Sequence, residues 1–343
     1  MKKLWLHSVR AYLQLGLFFY FKEIKVVNAN SIPKDKPVLF LANHQNALLD
    51  ALLIATTSGR FSYFLTRAAV FNKTFVSKLL NSLQMLPVYR IRDGWSTLIN
   101  NNAIFKSCIS LLHKKEAIVI FPEGSHNLKR TVRPLSKGFT RIVLDMMERY
   151  PDADLQLIPV GLNFINAKSF VDSTAIYYGS AIDAKQYVQK NRSEAAIKLK
   201  QDIHGKLCQL TTHIDNENYE NTLQRLENLH IDFLDPKGVN ACIANNFNEC
   251  NFKQRKKVHI LKKFLKTLLI LNLILPYVVW KFVVQPKIKE IEFTSTFRFA
   301  LAITLVPIWI AGLVILFGLT TGWLIALAYL FAVLGLTLGV VKT

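Results

Sequence analysis

The last part of the chain contains two long apolar stretches without a charged residue. They are FALAITLVPIWIAGLVILF at 299–317 and TTGWLIALAYLFAVLGLTLGVV at 320–341. A helix needs about 20 apolar residues to cross the hydrocarbon core of a bilayer, so each stretch predicts a membrane-spanning helix. The alternative is a hairpin in the core of a soluble protein, which is disfavoured because soluble helices of this length usually keep a polar face.

A third apolar stretch, TLLILNLILPYVVWKFVV at 267–284, is interrupted by Pro276 and Lys281. The run of lysines and arginines at 253–266 directly before it predicts a cytoplasmic collar that also binds anionic lipid head groups. The loop at 285–298 is basic and favours the same side. We therefore expect 267–284 to be re-entrant or interfacial, followed by two full crossings; if it spans, there are three.

Charge and hydrophobicity together narrow the function classes. The chain has 343 residues, a net charge of +20 and 51% hydrophobic residues. A soluble nucleic-acid-binding protein can be this basic but is rarely this apolar, so the pairing favours an anionic membrane surface and no nucleic-acid partner. The cysteines predict neither a metal site nor a disulfide, and they indicate a reducing, cytosol-facing domain. They are Cys108, Cys208, Cys242 and Cys250.

The N-terminal stretch begins MKKLWLHSVRAYLQLGLFFYF, which resembles a signal peptide at first sight. His7 and Arg10 interrupt its apolar part, and Lys22 follows without a small-residue cleavage site. The pattern predicts instead an amphipathic helix that lies in the membrane interface.

Between these ends, short apolar runs alternate with helical patterns over residues 30–180, which predicts an α/β domain. Residues 193–230 predict a helical scaffold or linker without chemistry of its own. In α/β sheets, binding residues gather where strands run into loops. The predicted strands lie at 36–43, 60–68, 83–90, 116–124 and 155–164, and the predicted helices at 46–58 and 97–115.

One polar pair stands out at such a strand end. The strand at 36–43 runs into NHQNALLD, which places His44 and Asp50 in an otherwise apolar stretch. Histidine is the simplest general base near neutral pH, and an aspartate on its other ring nitrogen would fix the tautomer. No Gly-x-Ser-x-Gly elbow or suitably placed cysteine offers a nucleophile, so we expect His44 to activate a substrate hydroxyl. A purely structural pair is the competing interpretation.

Two further blocks point to a phosphorylated substrate. FPEGSHN at 121–127 ends a strand in a Pro-Glu-Gly turn, and such turns bind anions or hydroxyls. Basic residues follow at 129–141, and LPVYR ends a strand at Arg90, where arginine suits phosphate recognition. A solvated basic face is the alternative, but beside a His–Asp pair this charge favours a phosphate ligand.

The order of these blocks resembles the phospholipid/glycerol acyltransferase family. That family carries an Asn-His-x4-Asp block, a block ending in arginine, a Pro-Glu-Gly block and a late strand with Pro-Val. Here the blocks read NHQNALLD, LPVYR, FPEGSHN with LSKGF, and LIPVGL, within about residues 36–215. The resemblance implies an α/β acyltransferase domain, a mixed sheet flanked by helices, that moves a fatty acyl group from a thioester to a glycerol hydroxyl.

The resemblance also implies roles for single residues. His44 would be the base and Asp50 its orienting partner, with backbone N–H groups near Gly124 or beside His44 holding the oxyanion. Transfer would be direct, with acyl-CoA or acyl carrier protein as co-substrate and with no metal and no cofactor. The residues expected to bind the acceptor or the donor's carrier are Asn43, Arg90, Glu123, Gly124, Ser125 and Lys137.

The chain departs from the family pattern in its spacing. Five residues separate His44 from Asp50, where four are usual. At about 100° per residue neither spacing places the pair on one helical face, so we expect the extra residue in a looped or bulged turn. The longer spacer resembles the fungal-type glycerol-3-phosphate/dihydroxyacetone-phosphate branch, which favours glycerol-3-phosphate over lysophosphatidate. His126 and Gln84 stand where the family often has arginine and glycine.

Together these features predict a membrane-bound O-acyltransferase of phospholipid biosynthesis, facing the cytoplasm and, in a bacterium, lying in the inner membrane. Its partners would be glycerol-3-phosphate or lysophosphatidate, an acyl thioester and membrane lipids. Three competing functions remain: a lysophosphatidate acyltransferase, an acyltransferase for amino-acid lipids, and an inactive lipid-binding protein. The expected organisation is an interfacial helix at 1–28, an acyltransferase domain at 29–215, a helical linker with the collar at 216–262, and a membrane region of two to three helices at 263–343.

Overall fold

A mixed β-sheet forms the centre of the computed structural model, which describes residues 2–89, 99, 101–188, 191–248, 250 and 260–343. Its strands are β1 Phe21–Val27, β2 Val38–Ala42, β3 Ser62–Arg67, β4 Met85–Val88, β5 Ala117–Ile120, β6 Gln156–Phe164, β7 Asp172–Tyr178 and β8 Ile182–Asp183. The strand order is β1-β7-β6-β2-β5-β3-β4, and β8 pairs with β6. Neighbouring strands run parallel except that β7 and β8 are antiparallel to β6.

Helices cover both faces of this sheet and continue into the C-terminal region. Those before residue 250 are α1 Lys2–Tyr20, α2 Ala47–Thr57, α3 Thr74–Ser82, α4 Asn101–His113, α5 Gly138–Arg149, α6 Arg192–Leu210, α7 Tyr219–Asn228 and α8 Pro236–Ala244. Those after it are α9 Ile260–Asn272, α10 Ile274–Val278, α11 Thr294–Ile303, α12 Leu305–Thr320 and α13 Trp323–Lys342.

The central strands are apolar because helices bury them from both sides. Every residue of β2 and of β5 is buried, the pattern expected of parallel strands covered on both faces. One core lies under α4, α5 and α6. The other lies under α1 and α2 and includes Phe299 of α11. The predicted α/β domain, a mixed sheet flanked by helices, is therefore confirmed.

Two predicted segments differ in detail from the structure. The N-terminal helix ends at Tyr20, and residues 21–27 form β1, which pairs with β7 at one edge of the sheet. The sheet therefore begins within the segment expected to be an interfacial helix. The expected linker after residue 215 holds α7 and α8, which bury a small apolar cluster of their own. This segment contacts β7, since the Tyr177 hydroxyl donates to the Leu234 carbonyl at 2.7 Å.

The expectation of no disulfide is also wrong. Cys242 near the end of α8 is bonded to Cys250, eight residues further on. Asn246 and Phe247 both adopt positive φ angles, of 51° and 66°, and reverse the chain after the helix. This reversal brings the two Cα atoms to 5.2 Å, a distance that a disulfide needs.

The C-terminal region contains two helices long and apolar enough to cross a membrane, Ile291–Thr320 and Trp323–Lys342. Only 6% and 22% of their most apolar windows are buried, which argues against a hairpin in a soluble core. The pair Lys262–Asn272 and Ile274–Lys287 bends by 95°. That bend fits the expected re-entrant or interfacial segment, and a broken third span is the alternative.

The close contact between β6 and α6 generates a prediction about stability. A Cβ on Gly161 would lie 2.1 Å from the Leu210 backbone oxygen, whereas a Cβ on Gly205 in α6 meets nothing within 4 Å. We expect Gly161→Ala to lower the free energy of unfolding by roughly 2 kcal/mol or more. The control Gly205→Ala should raise it by about 0.5–1 kcal/mol, because alanine is the better helix former. Denaturant unfolding of both variants checks this, and equal effects would contradict it.

Candidate active site

The site lies where two parallel strands of the sheet end side by side. β2 ends at Ala42 and is followed by Asn43 and His44; β5 ends at Ile120 and is followed by the 121–127 loop. Because β2 and β5 pair in parallel register, these two loops emerge at the same edge of the sheet. Two of the sequence blocks are thereby brought together, as expected for an open α/β sheet.

His44 and Asp50 are in direct contact. The His44 Nδ1 atom lies 2.9 Å from Asp50 Oδ2, and the imidazole stacks on Phe121 with ring centroids 4.1 Å apart. A carboxylate oxygen can only accept, so His44 carries its proton on Nδ1 and leaves the Nε2 lone pair available. The Asp50 side chain is fully buried and that of His44 is 12% exposed, so the base reaches the surface and its partner does not.

The backbone between His44 and Asp50 makes a non-helical turn at the first residue of α2. Ala47 has a φ of 43°, a left-handed conformation that is uncommon for a residue with a Cβ. Asp50 closes this turn, because its Oδ2 accepts the backbone N–H groups of Gln45 at 2.8 Å and Asn46 at 2.7 Å. Asp50 therefore orients both the imidazole and the backbone that carries it.

Glu123 supports the same histidine from the second loop. Its Oε1 accepts the His44 backbone N–H at 3.1 Å, and its Oε2 accepts from Arg133 Nε at 2.8 Å. Burial raises the pKa of Glu123, and the Arg133 guanidinium opposes that rise. Both carboxylate oxygens are thus engaged within the protein, so Glu123 is a positioning residue in this geometry.

The Pro-Glu-Gly loop is braced at several points. Gly124 has a φ of 75°, which favours glycine at this turn, and its N–H donates to the Phe121 carbonyl. The expected oxyanion donor at Gly124 is therefore already engaged. Arg133 Nη1 donates to Ser125 Oγ at 2.7 Å, and Asn127 N–H donates to the His44 carbonyl at 3.0 Å. Sequence reasoning placed Arg133 only in a basic run and missed that it holds this loop.

His126 joins the site to the membrane region. Its ring centroid lies 5.6 Å from that of His44 and 4.7 Å from that of Phe293. Its Nε2 lies 3.4 Å from Glu290 Oε2. The position was noticed because the family often has arginine there, but no local signal in the sequence pairs it with residues 164 and more positions away. The start of the first long apolar helix therefore lies beside His126, which in turn contacts His44.

The remaining predicted residues occupy different surroundings. Both polar ends of the Asn43 side chain bond the backbone of Leu162, at 3.0 and 2.7 Å, so Asn43 ties β2 to β6. Lys137 is exposed at the start of α5, beside Ser136, whose N–H donates to the Pro122 carbonyl. Arg90 lies outside the described residues. Substrate contacts of all three stay predictions.

A small polar cleft runs along His44 and Glu123 and is lined in part by Lys129 and Arg130. Arg130 donates to the carbonyls of Phe164 and Ile165 and packs on the Phe233 ring. Lys129 lies at the rim, 4.7 Å from the ring centroid of Tyr219. The expected phosphate-binding surface therefore has one lysine at its rim and one arginine fastened to the backbone.

Part of the sequence matches a known protein family. A family model described as Acyltransferase matches residues 23–163. An uncharacterized acyltransferase of Schizosaccharomyces pombe is 21% identical and covers 66% of this chain and 47% of its own. Glycerol-3-phosphate O-acyltransferases 1 and 2 of Saccharomyces cerevisiae are 24% and 26% identical, over 28% and 33% of this chain. The chain spans less than half the length of each of these curated relatives.

A solved structure resembles part of the fold. The crystal structure of the 1-acyl-sn-glycerophosphate acyltransferase of Thermotoga maritima aligns with a TM-score of 0.43 and 17% identity. The alignment covers 60% of this chain and 80% of that one.

The turn at Ala47 generates a matched pair of substitutions. Ala47→Gly keeps the left-handed conformation without a Cβ, so we expect activity within about twofold of the parent. Ala47→Val places a β-branched side chain at that angle, and we expect about 2 kcal/mol lower stability and displacement of Asp50. Denaturant unfolding and any His44-dependent activity check both variants. A valine variant as stable and active as the glycine variant would remove the constraint assigned to this turn.

The Glu123–Arg133 ion pair generates a prediction that depends on pH. Arg133→Gln leaves a buried carboxylate without its cation, so we expect stability to fall by about 3 kcal/mol. Without Arg133 the folded-state pKa of Glu123 rises further above its unfolded value, so this loss should grow as pH rises through the folded-state pKa. Adding Glu123→Gln should recover part of the loss and flatten its pH dependence. Additive losses in a double-mutant cycle would contradict the pairing.

Proposed function

We propose that this chain, whose residues 23–163 match the Acyltransferase family model, transfers a fatty acyl group from a thioester to a hydroxyl of glycerol-3-phosphate. The observation that carries the proposal is the contact of His44 Nδ1 with Asp50 Oδ2 at 2.9 Å. It leaves Nε2 of a partly exposed imidazole as a base beside a polar cleft. Because the proposal includes a base and no protein nucleophile, this geometry suits direct transfer of the acyl group to a substrate hydroxyl.

In the proposed reaction, His44 Nε2 accepts the proton of the acceptor hydroxyl while its oxygen attacks the thioester carbonyl carbon. Asp50 stabilises the imidazolium that forms, through the Nδ1–H hydrogen bond. The tetrahedral intermediate then loses the thiolate as the C–S bond breaks, and the imidazolium returns the proton to sulfur. The products are an ester and a free thiol. Acyl-CoA and acyl carrier protein are both donors of the required class, and no metal or cofactor is part of this proposal.

The phosphate of the acceptor is expected to meet the basic side of the cleft. Lys129 at its rim supports this assignment, and Arg90 and Lys137 remain candidates for the same role. The carboxyl end of β2, which carries the base, lies close to the start of the long apolar helix at Ile291–Thr320, through the contact of His126 with Phe293. We propose that the domain works at the cytoplasmic membrane interface, into which its lipid product partitions.

Glycerol-3-phosphate is the preferred acceptor for two reasons. The spacer of five residues between His44 and Asp50 matches the fungal-type branch, and two of the yeast relatives are named glycerol-3-phosphate O-acyltransferases. Lysophosphatidate is the second candidate, because the proposed reaction would be the same and only the acceptor would differ.

A two-acceptor assay tests the proposal. Detergent-solubilised protein would receive labelled palmitoyl-CoA with either glycerol-3-phosphate or lysophosphatidate. We expect lysophosphatidate to form from glycerol-3-phosphate, and His44→Ala to lower the rate about 10²–10⁴-fold, the range that a general base contributes. Asp50→Asn should lower kcat with a smaller change in KM, because it disturbs the tautomer and not the binding groups.

The matched control is His113→Ala, which removes an exposed histidine stacked on Tyr150 far along the chain from the catalytic pair. It should keep parental activity. Phosphatidate formed from lysophosphatidate alone would keep the mechanism and change the acceptor. Activity that survives His44→Ala, or no transfer with either acceptor and with either CoA or carrier protein as donor, would overturn the proposed function.

A further inference from the structure

A second cavity, larger than the catalytic cleft, lies among the C-terminal helices and α1. It has a volume of about 700 Å³, within the range of about 300–1,000 Å³ that is usual for small-molecule sites. Its walls are formed by apolar side chains of α1, α9, α11, α12 and α13. Nothing in the proposed acyl transfer uses this space.

One end of the cavity lies against the sheet domain and is cationic. Arg298 lines it and is fastened there, because its Nη1 donates to the Lys168 carbonyl at 2.9 Å. Lys266 of α9 also lines it. The neighbouring Leu265 packs near Gly339 of α13. Three residues further along α13, Lys342 Nζ donates to the Phe21 carbonyl of β1 at 2.8 Å. Arg298 thus bonds the sheet domain directly, and the residue next to Lys266 packs on the helix that is bonded to β1.

The other end of the cavity is apolar and lies deeper among the long helices. Asn272 at the end of α9 accepts the Trp309 Nε1–H at 3.0 Å and contacts the Tyr329 hydroxyl at 3.0 Å. These contacts join the three helices there. The cavity lining beyond Arg298 consists of residues such as Val306, Ile310 and Val314. The cavity is thus amphipathic: it is lined by Arg298 and Lys266 as well as by the apolar side chains of the long helices.

Among the described residues that line the cavity, none is acidic. Lys262 and Lys22 add positive charge, since Lys262 lies within electrostatic reach of Lys22 and Lys266. Arg298 packs over the Trp280 ring, 4.8 Å from its centroid, and Lys266 is exposed, so both side chains carry N–H donors for an anion that enters the cavity. Arginine carries five N–H donors and suits a phosphate, which it binds in a bidentate manner.

From these observations we propose that the cavity binds a monoacyl glycerophosphate lipid. Its phosphate would contact Arg298 and Lys266, and its acyl chain would lie along the apolar wall toward Val314. The site also lies close to the reaction, because Arg298 follows Phe293 by five residues, roughly 7.5 Å along a helix, and Phe293 packs on His126. The choice of this lipid rests on the proposed function, whose product it is; the anionic single-chain chemistry rests on the cavity alone.

Native mass spectrometry of the full chain in detergent tests the assignment. The His44→Ala protein, without an acyl donor, would be titrated with 1-oleoyl-lysophosphatidate and, separately, with 1-oleoyl-lysophosphatidylcholine, which differs in its zwitterionic head. We expect lysophosphatidate to bind at least about tenfold more tightly at a site that Lys266→Gln and Arg298→Gln each weaken by about tenfold or more. Arg298→Lys should bind better than Arg298→Gln.

Matched variants separate this cavity from the catalytic cleft and from ordinary detergent contact. Ala311→Phe fills the cavity, whereas Ala328→Phe adds the same ring at an exposed position that is not in the described lining. Lys281→Gln removes an exposed cation that is likewise not in that lining. Ala311→Phe should abolish the site, and the two controls should leave it intact.

Equal binding of the two lipids, or binding insensitive to Ala311→Phe, would overturn the assignment. Displacement of lysophosphatidate by palmitoyl-CoA, with tighter binding of the latter at the Ala311-dependent site, would make the cavity a donor site and also overturn it. The experiment contains no turnover, so its failure is distinct from that of the proposed reaction. An inactive protein that still binds lysophosphatidate in this way would refute only the proposed function.

Discussion

The hydrogen bond between His44 and Asp50 is the interaction on which the site depends. Asp50 is fully buried at the start of α2, and one of its oxygens accepts the imidazole proton and two backbone N–H groups. The same carboxylate thus sets the histidine tautomer and the path of the turn that carries it. Loss of any of these three donors would leave a buried carboxylate less well satisfied and would lower stability. The carboxylate that sets the histidine tautomer therefore also stabilises the local fold.

The sheet supplies the rest of the geometry. Parallel pairing of β2 and β5 brings two loops to one edge, and Glu123 then bonds the backbone of His44 while Arg133 neutralises Glu123. The side-chain amide of Asn43 is hydrogen-bonded to the backbone of β6. Several residues that the motifs predict to bind substrate therefore also hold loops and strands together. We expect their substitution to affect both folding and activity. The matched variants above were chosen for that reason.

Sequence patterns predicted the parts of the fold that local chemistry determines. The buried strands at β2, β5 and β6 read as apolar runs, and the longer spacer between His44 and Asp50 required a looped turn, which Ala47 provides. Other parts depend on contacts between distant residues and left no local pattern. The edge strand β1 looks like the end of a helix, and Arg133 looks like one more basic residue. The contact of His126 with Glu290 and Phe293 exists only because α11 packs on the sheet domain.

A continuous series of contacts runs from Asp50 through His44 and His126 to Phe293, at the start of the C-terminal helices. The most direct test of this account is the protonation state of His44, since the tautomer is what makes Nε2 a base. Nitrogen-15 NMR of histidine-labelled protein, with His44 assigned by comparison with His44→Gln, measures it. We expect a neutral ring protonated on Nδ1, changed by Asp50→Asn. A ring protonated on Nε2 near neutral pH, or one insensitive to Asp50, would contradict the account.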